Sequence, residues 1–212
     1  VLPHIADSSE PHMRNGNKTV SDTLVIGFAG SIYANNMEQI KDLIKIVDDN
    51  SNYILKIWTN ANSELIGVEN MKNPDRVIIG FEADKKRLLS ELSKCDLLYL
   101  PLDFHGSTAL PIESLQYVLP TKAVDYLQTG SLILVHCPAY FETSVFFKKY
   151  NAAYILNSDN PEDLRVWLDD FVGGKIEKLK QENILSALKY FDKDKNLTKF
   201  EEILNGYVTK KG

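Results

Sequence analysis

The stretch 119-LPTKAVDYLQTGSLILV-135 reads as a helix followed at once by a buried strand. Pro120 suits the first helical position, because the N–H it lacks would be unpaired there anyway. Gly130 closes the helix, since glycine adopts the left-handed conformation that ends one. Residues 131–136 are then apolar, as in a strand covered on both faces. Lys122 and Asp125 stand three residues apart, which places them as neighbours on one helix face. A purely structural helix between two buried strands needs neither charge on that face.

The same rhythm of strand and helix continues outward in both directions. Strands are predicted at 24–30, 53–59, 76–81 and 96–102 upstream, and at 152–156 downstream. A helix at 37–50 puts Ile40, Leu43, Ile44 and Val47 on one face. Another at 84–95 has Asp84 as its cap and Leu88, Leu89 and Leu92 facing inward. Helices also follow at 140–150 and at 160–171, the latter with Pro161 first and Leu164, Trp167, Leu168 and Phe171 on one face. Residues 175–208 read as two further amphipathic helices, and the segment around 60–75 has room for a short one. Parallel strands need helical crossovers, so this order predicts an α/β fold. It is a doubly wound, mostly parallel Rossmann-like sheet of about six strands, with helices on both faces and C-terminal helices. Residues 1–20 read as a linker or leader, 21–175 as the sheet domain, and 176–212 as helices packing on it.

Bulk composition narrows the function classes. The chain has 212 residues, 44% hydrophobic and 25% charged, which fits one large globular domain. Its 24 basic and 29 acidic residues give a net charge of −5, which argues against a nucleic-acid partner. No run of 18 apolar residues occurs, so no transmembrane segment is expected. Two cysteines, Cys95 and Cys137, make neither a disulfide framework nor a metal site, and Cys95 falls in phase with Leu88 and Leu92. The triplets beginning at Asn17 and Asn196 match glycosylation acceptors, but no signal peptide accompanies them, so the chain reads as cytoplasmic. It begins with Val and reads as a piece of a longer protein.

In sheets of this kind ligands bind at the carboxyl ends of the strands, near the point where the winding reverses. That edge collects Gly30 and Ser31, Thr59 and Asn60, Phe81 and Glu82, Asp103 to Ser107, and His136. Pro120, Thr121 and Lys122 begin their helix at the same edge. The first turn, Gly27-Phe28-Ala29-Gly30-Ser31, is not the GxGxxG of dinucleotide folds, and Trp58-Thr59-Asn60 lacks the acid that would hold a ribose. The acidic cluster of a phosphoacceptor domain and a P-loop are also missing. What remains is a helix start suited to a diphosphate, with Lys122 adding a point charge and Asp125 able to accept from ribose hydroxyls. The competing reading is an ordinary surface Lys–Asp pair.

These residues resemble the C-terminal, nucleotide-sugar-binding half of GT-B glycosyltransferases, in particular the large retaining family 4. The resemblance runs over about 1–175, through VLPHIAD, IGFAGSI, KCDLLYLPL, LPTKAVDYLQTGSLILVHCP, NAAYIL and NPEDL. Its most specific part is the P-x-K-x-x-E-Y-x-x-x-G-x-P block. The resemblance implies two Rossmann-like domains with a cleft between them, a UDP- or GDP-sugar as donor substrate, and no metal or other cofactor. By position it assigns Asp125 to the donor ribose, and Thr121, Lys122, Gly30 and Ser31 to the phosphates. Gly80, Phe81 and Glu82 fall in the loop that cups the base. Three departures stand out, the first being Asp125, one methylene shorter than the Glu of that block. Tyr117 occupies the place of the acid that touches the transferred sugar, and Ser31 and Met37 hold the places of an Arg and a Lys. Sugar contact through Asp103 or His105 is an alternative.

The implied function is retaining, metal-independent transfer of a hexose-type sugar, as in polysaccharide biosynthesis, by a cytoplasmic enzyme peripheral to the inner membrane face. Its partner would be an N-terminal acceptor-binding domain carrying the catalytic groups, so this chain alone is expected to bind donor without transferring sugar. Tyr117 favours a rival reading, a non-catalytic module with a degenerate pocket. A nucleotide-sugar epimerase of the same fold is a third.

Overall fold

The computed structural model describes residues 23–34, 36–61, 67–106 and 111–208. Six strands form one sheet: β1 (Leu24–Ala29), β2 (Tyr53–Trp58), β3 (Val77–Gly80), β4 (Leu97–Pro101), β5 (Leu132–His136) and β6 (Tyr154–Leu156). Their spatial order is β3-β2-β1-β4-β5-β6, and every pairing is parallel. The order reverses between β1 and β4, which makes their carboxyl ends the switch point of a doubly wound fold.

The helices are α1 (Met37–Asp49), α2 (Lys85–Leu92), α3 (Ile112–Leu115), α4 (Thr121–Thr129), α5 (Glu142–Tyr150), α6 (Pro161–Val172), α7 (Gln181–Leu188) and α8 (Lys193–Val208). Before β3 the described residues hold two 3₁₀ turns, Val68–Asn70 and Pro74–Arg76, while 62–66, where a short helix had room, lie outside the described residues. Caps fall where their chemistry predicts. The Asp84 carboxylate accepts from the Arg87 N–H at 2.8 Å, and Asn160 accepts from Glu162 with Pro161 first in the helix. Gly130 ends α4 at φ 67°.

Alternation along the strands builds two cores. Ile26, Phe28, Leu97, Tyr99 and Leu134 face α1 and α6, while Leu98, Leu100, Ile133 and Val135 face α2, α4, α5 and α7. β4 is buried along its whole length, which is why it reads as an unbroken apolar run. Both cysteines are buried and neither forms a disulfide among the described residues, and burial pushes the Cys137 thiol up to about 11. Asn196 is also buried, its amide donating to the Tyr190 carbonyl at 3.0 Å. The Asn17 triplet and the 1–20 segment lie outside the described residues. Among those residues, no helix is long and apolar enough to cross a membrane.

Gly27, in the middle of β1, lets α2 and β4 close on the strand. A Cβ there would stand 2.7 Å from Cys95 Sγ and 2.9 Å from Leu98 Cδ2. Gly27→Ala is therefore expected to destabilise the domain by about 1–3 kcal/mol, as overpacking of a tight core does. Denaturant unfolding measures it.

Candidate functional site

At the switch point lies a cleft of about 390 Å³, lined among others by Gly30, Ser31, Pro120, Thr121, Lys122 and Asp125. The start of α4 forms one wall. Pro120 is the cap rather than the first helical residue: it is extended at ψ 142°, and its carbonyl accepts from the Ala123 N–H at 2.9 Å. The expectation from the sequence is thus corrected by one position, because Pro120 takes the extended conformation of a capping residue. No side chain caps this end, so the orphan N–H groups of the first turn are available to a ligand, with the positive end of the helix dipole behind them.

Lys122 reaches over the tip of β1. Gly30 makes room for it at φ 124°, where a Cβ would lie 3.3 Å from both Cε and Nζ of Lys122. The ammonium ends 4.3 Å from the centre of the Phe28 ring, which belongs to the core on the opposite side of the sheet. The side chain is part-buried as a whole. Desolvation lowers its pKa from 10.5 to about 8.

Asp125 does not meet Lys122 as its i+3 spacing predicted. Its Oδ1 lies 3.3 Å from Nζ of Lys85 in α2 instead. Lys122 is drawn to the strand tip, and Asp125 makes its ion pair with the neighbouring helix.

Two residues that sequence reasoning passed over hold this geometry. The buried Tyr126 hydroxyl accepts from the Ala29 N–H at 2.9 Å and donates to the Tyr99 carbonyl at 3.3 Å, which ties α4 to β1 and β4. Asn36, only 3% exposed, accepts from the Tyr33 N–H at 3.0 Å and donates to the Ser31 carbonyl at 3.2 Å. It therefore braces the loop after β1. Its type just before α1 is a helix-cap signal, though here the side chain closes the loop and makes no cap bond.

Other expected residues stand apart from the cleft lining. Gly80 ends β3 at the edge of the sheet, two strands from β1, Phe81 and Glu82 follow it, and Glu82 Oε1 accepts from the Asp84 N–H at 2.8 Å. Tyr117 is 77% exposed beyond α3, although its neighbour Val118 does line the cleft. Asp103 is buried and accepts from the His105 N–H at 3.2 Å, while His105 Nε2 lies 3.2 Å from Asp159. His136 is an internal brace. The Ser158 carbonyl accepts from its Nε2 at 2.5 Å, so Nδ1 accepts a hydrogen bond from the Tyr99 hydroxyl at 2.6 Å, and burial lowers its pKa.

No protein-family model matches the chain, and no curated protein matches it in sequence. Solved structures share its fold. The C-terminal domain of the glycosyl transferase group 1 family protein LpcC from Francisella tularensis is 13% identical, with a TM-score of 0.55 over 89% of this chain and 94% of that one. HepE from Anabaena, solved with UDP-glucose, is 15% identical, with a TM-score of 0.60 over 88% of this chain and 50% of that one. A putative UDP-N-acetylglucosamine 2-epimerase from Listeria monocytogenes is 12% identical, with a TM-score of 0.51 over 90% of this chain and 47% of that one. The chain thus spans about half the length of the last two. Its fold is that of the C-terminal domains of GT-B glycosyltransferases, α/β and Rossmann-like.

A desolvated ammonium costs stability while it is charged. Because the folded state holds the Lys122 proton less tightly than the unfolded chain, that cost is full below pH 8 and vanishes as pH rises toward 10.5. Lys122→Met is expected to unfold at higher denaturant than the unaltered chain at pH 7, with the gap closing by pH 10.5. A gap independent of pH would contradict the assigned burial.

Proposed function

We propose that this chain is the donor-binding half of a glycosyltransferase that moves a hexose-type sugar from a UDP- or GDP-sugar to an acceptor, with retention and without a metal. One observation carries the reading: at the switch point, an uncapped helix start and a desolvated lysine converge over a glycine turn. Two phosphates bring what that arrangement lacks, which is negative charge and hydrogen-bond acceptors.

In this reading the diphosphate accepts from the first-turn N–H groups of α4 and sits against Lys122, while Asp125 accepts from ribose hydroxyls and keeps Lys85 beside it. As the bond between the anomeric carbon and the diphosphate oxygen breaks, the electron pair goes to the diphosphate. The same N–H groups and the ammonium stabilise that growing charge, an electrostatic role that requires no proton transfer. The fold neighbour solved with UDP-glucose supports a sugar nucleotide as the ligand class. The acceptor and the groups that handle it belong to an N-terminal domain, in keeping with the half-length coverage of the larger neighbours. We place the enzyme in the cytoplasm, at the inner membrane face, in polysaccharide biosynthesis. The epimerase among the neighbours favours a second reading, in which the donor sugar is altered with no acceptor present.

Calorimetric titration with UDP and GDP tests the site. One of the two is expected to bind, and Asp125→Ala to weaken it by roughly 1.5–3 kcal/mol, one to two decades, through loss of a charge-assisted hydrogen bond. Binding untouched by that change would contradict the ribose role. The full enzyme is expected to need an acceptor and to work in EDTA. Conversion of donor alone would establish the epimerase reading.

A further inference from the structure

The cleft has an end that the nucleotide does not account for. Asp125, tied to Lys85, marks the ribose end on the side of α2. Lys122 crosses from there over Gly30 and ends above Phe28, on the side of the sheet covered by α1. A nucleoside diphosphate laid along this path has its ribose beside α2 and its terminal phosphate directed toward the loop that opens with residues 31–34. Whatever is esterified to that phosphate meets this loop next.

Tyr33 stands there. It lines the same cleft, yet 63% of it is exposed. Its backbone is held firmly: its N–H donates to the buried Asn36 side chain at 3.0 Å, and its carbonyl accepts from the N–H groups of Asn36 and Met37 at 3.1 and 2.9 Å. Its ring stacks on no other ring among the described residues. A large ring on a braced backbone, open to solvent at the rim of the cleft, is a preformed surface for the apolar face of a ligand. A pyranose has such a face, formed by its axial C–H bonds, and hydroxyls at its edge for the phenol.

We infer that Tyr33 is the platform on which the transferred sugar stacks, and so a specificity-determining residue of the donor site. The sugar is held through its C–H face, and a ring with that face unobstructed is preferred. The inference rests on the donor-site reading above, and its test separates the two.

The unaltered chain is titrated with UDP, GDP and a panel of UDP-glucose, UDP-galactose, UDP-N-acetylglucosamine and GDP-mannose. The tightest sugar nucleotide and its parent diphosphate are then compared in Tyr33→Ala and Tyr33→Phe, with melting curves confirming that both variants fold. Tyr33→Ala is expected to weaken the sugar nucleotide about three- to tenfold, the range of aromatic contacts, while leaving the diphosphate unchanged. Tyr33→Phe is expected to keep most of the sugar affinity. Equal losses for both ligands would overturn the inference, because the ring would then be touching the nucleotide. No loss for either would overturn it as well. If the unaltered chain binds none of these ligands, the donor-site reading itself fails, and the inference with it.

Discussion

The cleft depends on one hydroxyl. Tyr126 bridges the Ala29 N–H and the Tyr99 carbonyl from inside the core, and so fixes the start of α4 against the tips of β1 and β4. Those two strands flank the reversal of the sheet, where no crossover covers the carboxyl edge. The bond does two jobs at once. It satisfies a backbone donor that β1 would otherwise leave buried, and it sets the height at which the helix presents its first turn. Pro120 then caps the turn without a side chain in the way, and Gly30 leaves the gap through which Lys122 crosses.

The physical tension in the molecule sits at that lysine. The fold could have covered the tip of β1 with an apolar side chain at lower cost. Instead it holds an amine where desolvation works against its charge, with an aromatic face as partial compensation. Such a group gains most when an anion arrives, since the ligand restores the electrostatic partner that water no longer supplies. In the proposed donor site, binding and protonation of Lys122 would therefore be linked, and the same desolvation that weakens the free protein would strengthen its hold on a diphosphate.

Much of this was legible in the sequence because it is local. β4 is an uninterrupted apolar run since both its faces are covered, and Asp84, Asn160 with Pro161, and Gly130 mark helix ends by their own conformational chemistry. Placing Gly30, Thr121, Lys122 and Asp125 at one edge needed only the rule that parallel sheets bind ligands at their carboxyl ends. What escaped was tertiary. The partner of Asp125 is Lys85, forty residues earlier on a different helix, and helical spacing pointed instead to Lys122. Tyr126 reads as a core aromatic until β1 is seen to end beside it, and the role of Asn36 depends on the path of a loop. His136 stands at a strand end on the ligand edge, where its two ring hydrogen bonds, invisible in the sequence, make it a brace.

If Lys122 is a desolvated ammonium that receives a diphosphate, its own titration will report it. The Nζ and Cε resonances of isotopically labelled Lys122, assigned with Lys122→Met, are to be followed from pH 6 to 11 without ligand and with saturating UDP or GDP. A midpoint near 8 in the free chain and a clear rise when the nucleotide binds are expected. A midpoint at the ordinary 10.5, unmoved by either nucleotide, would contradict it.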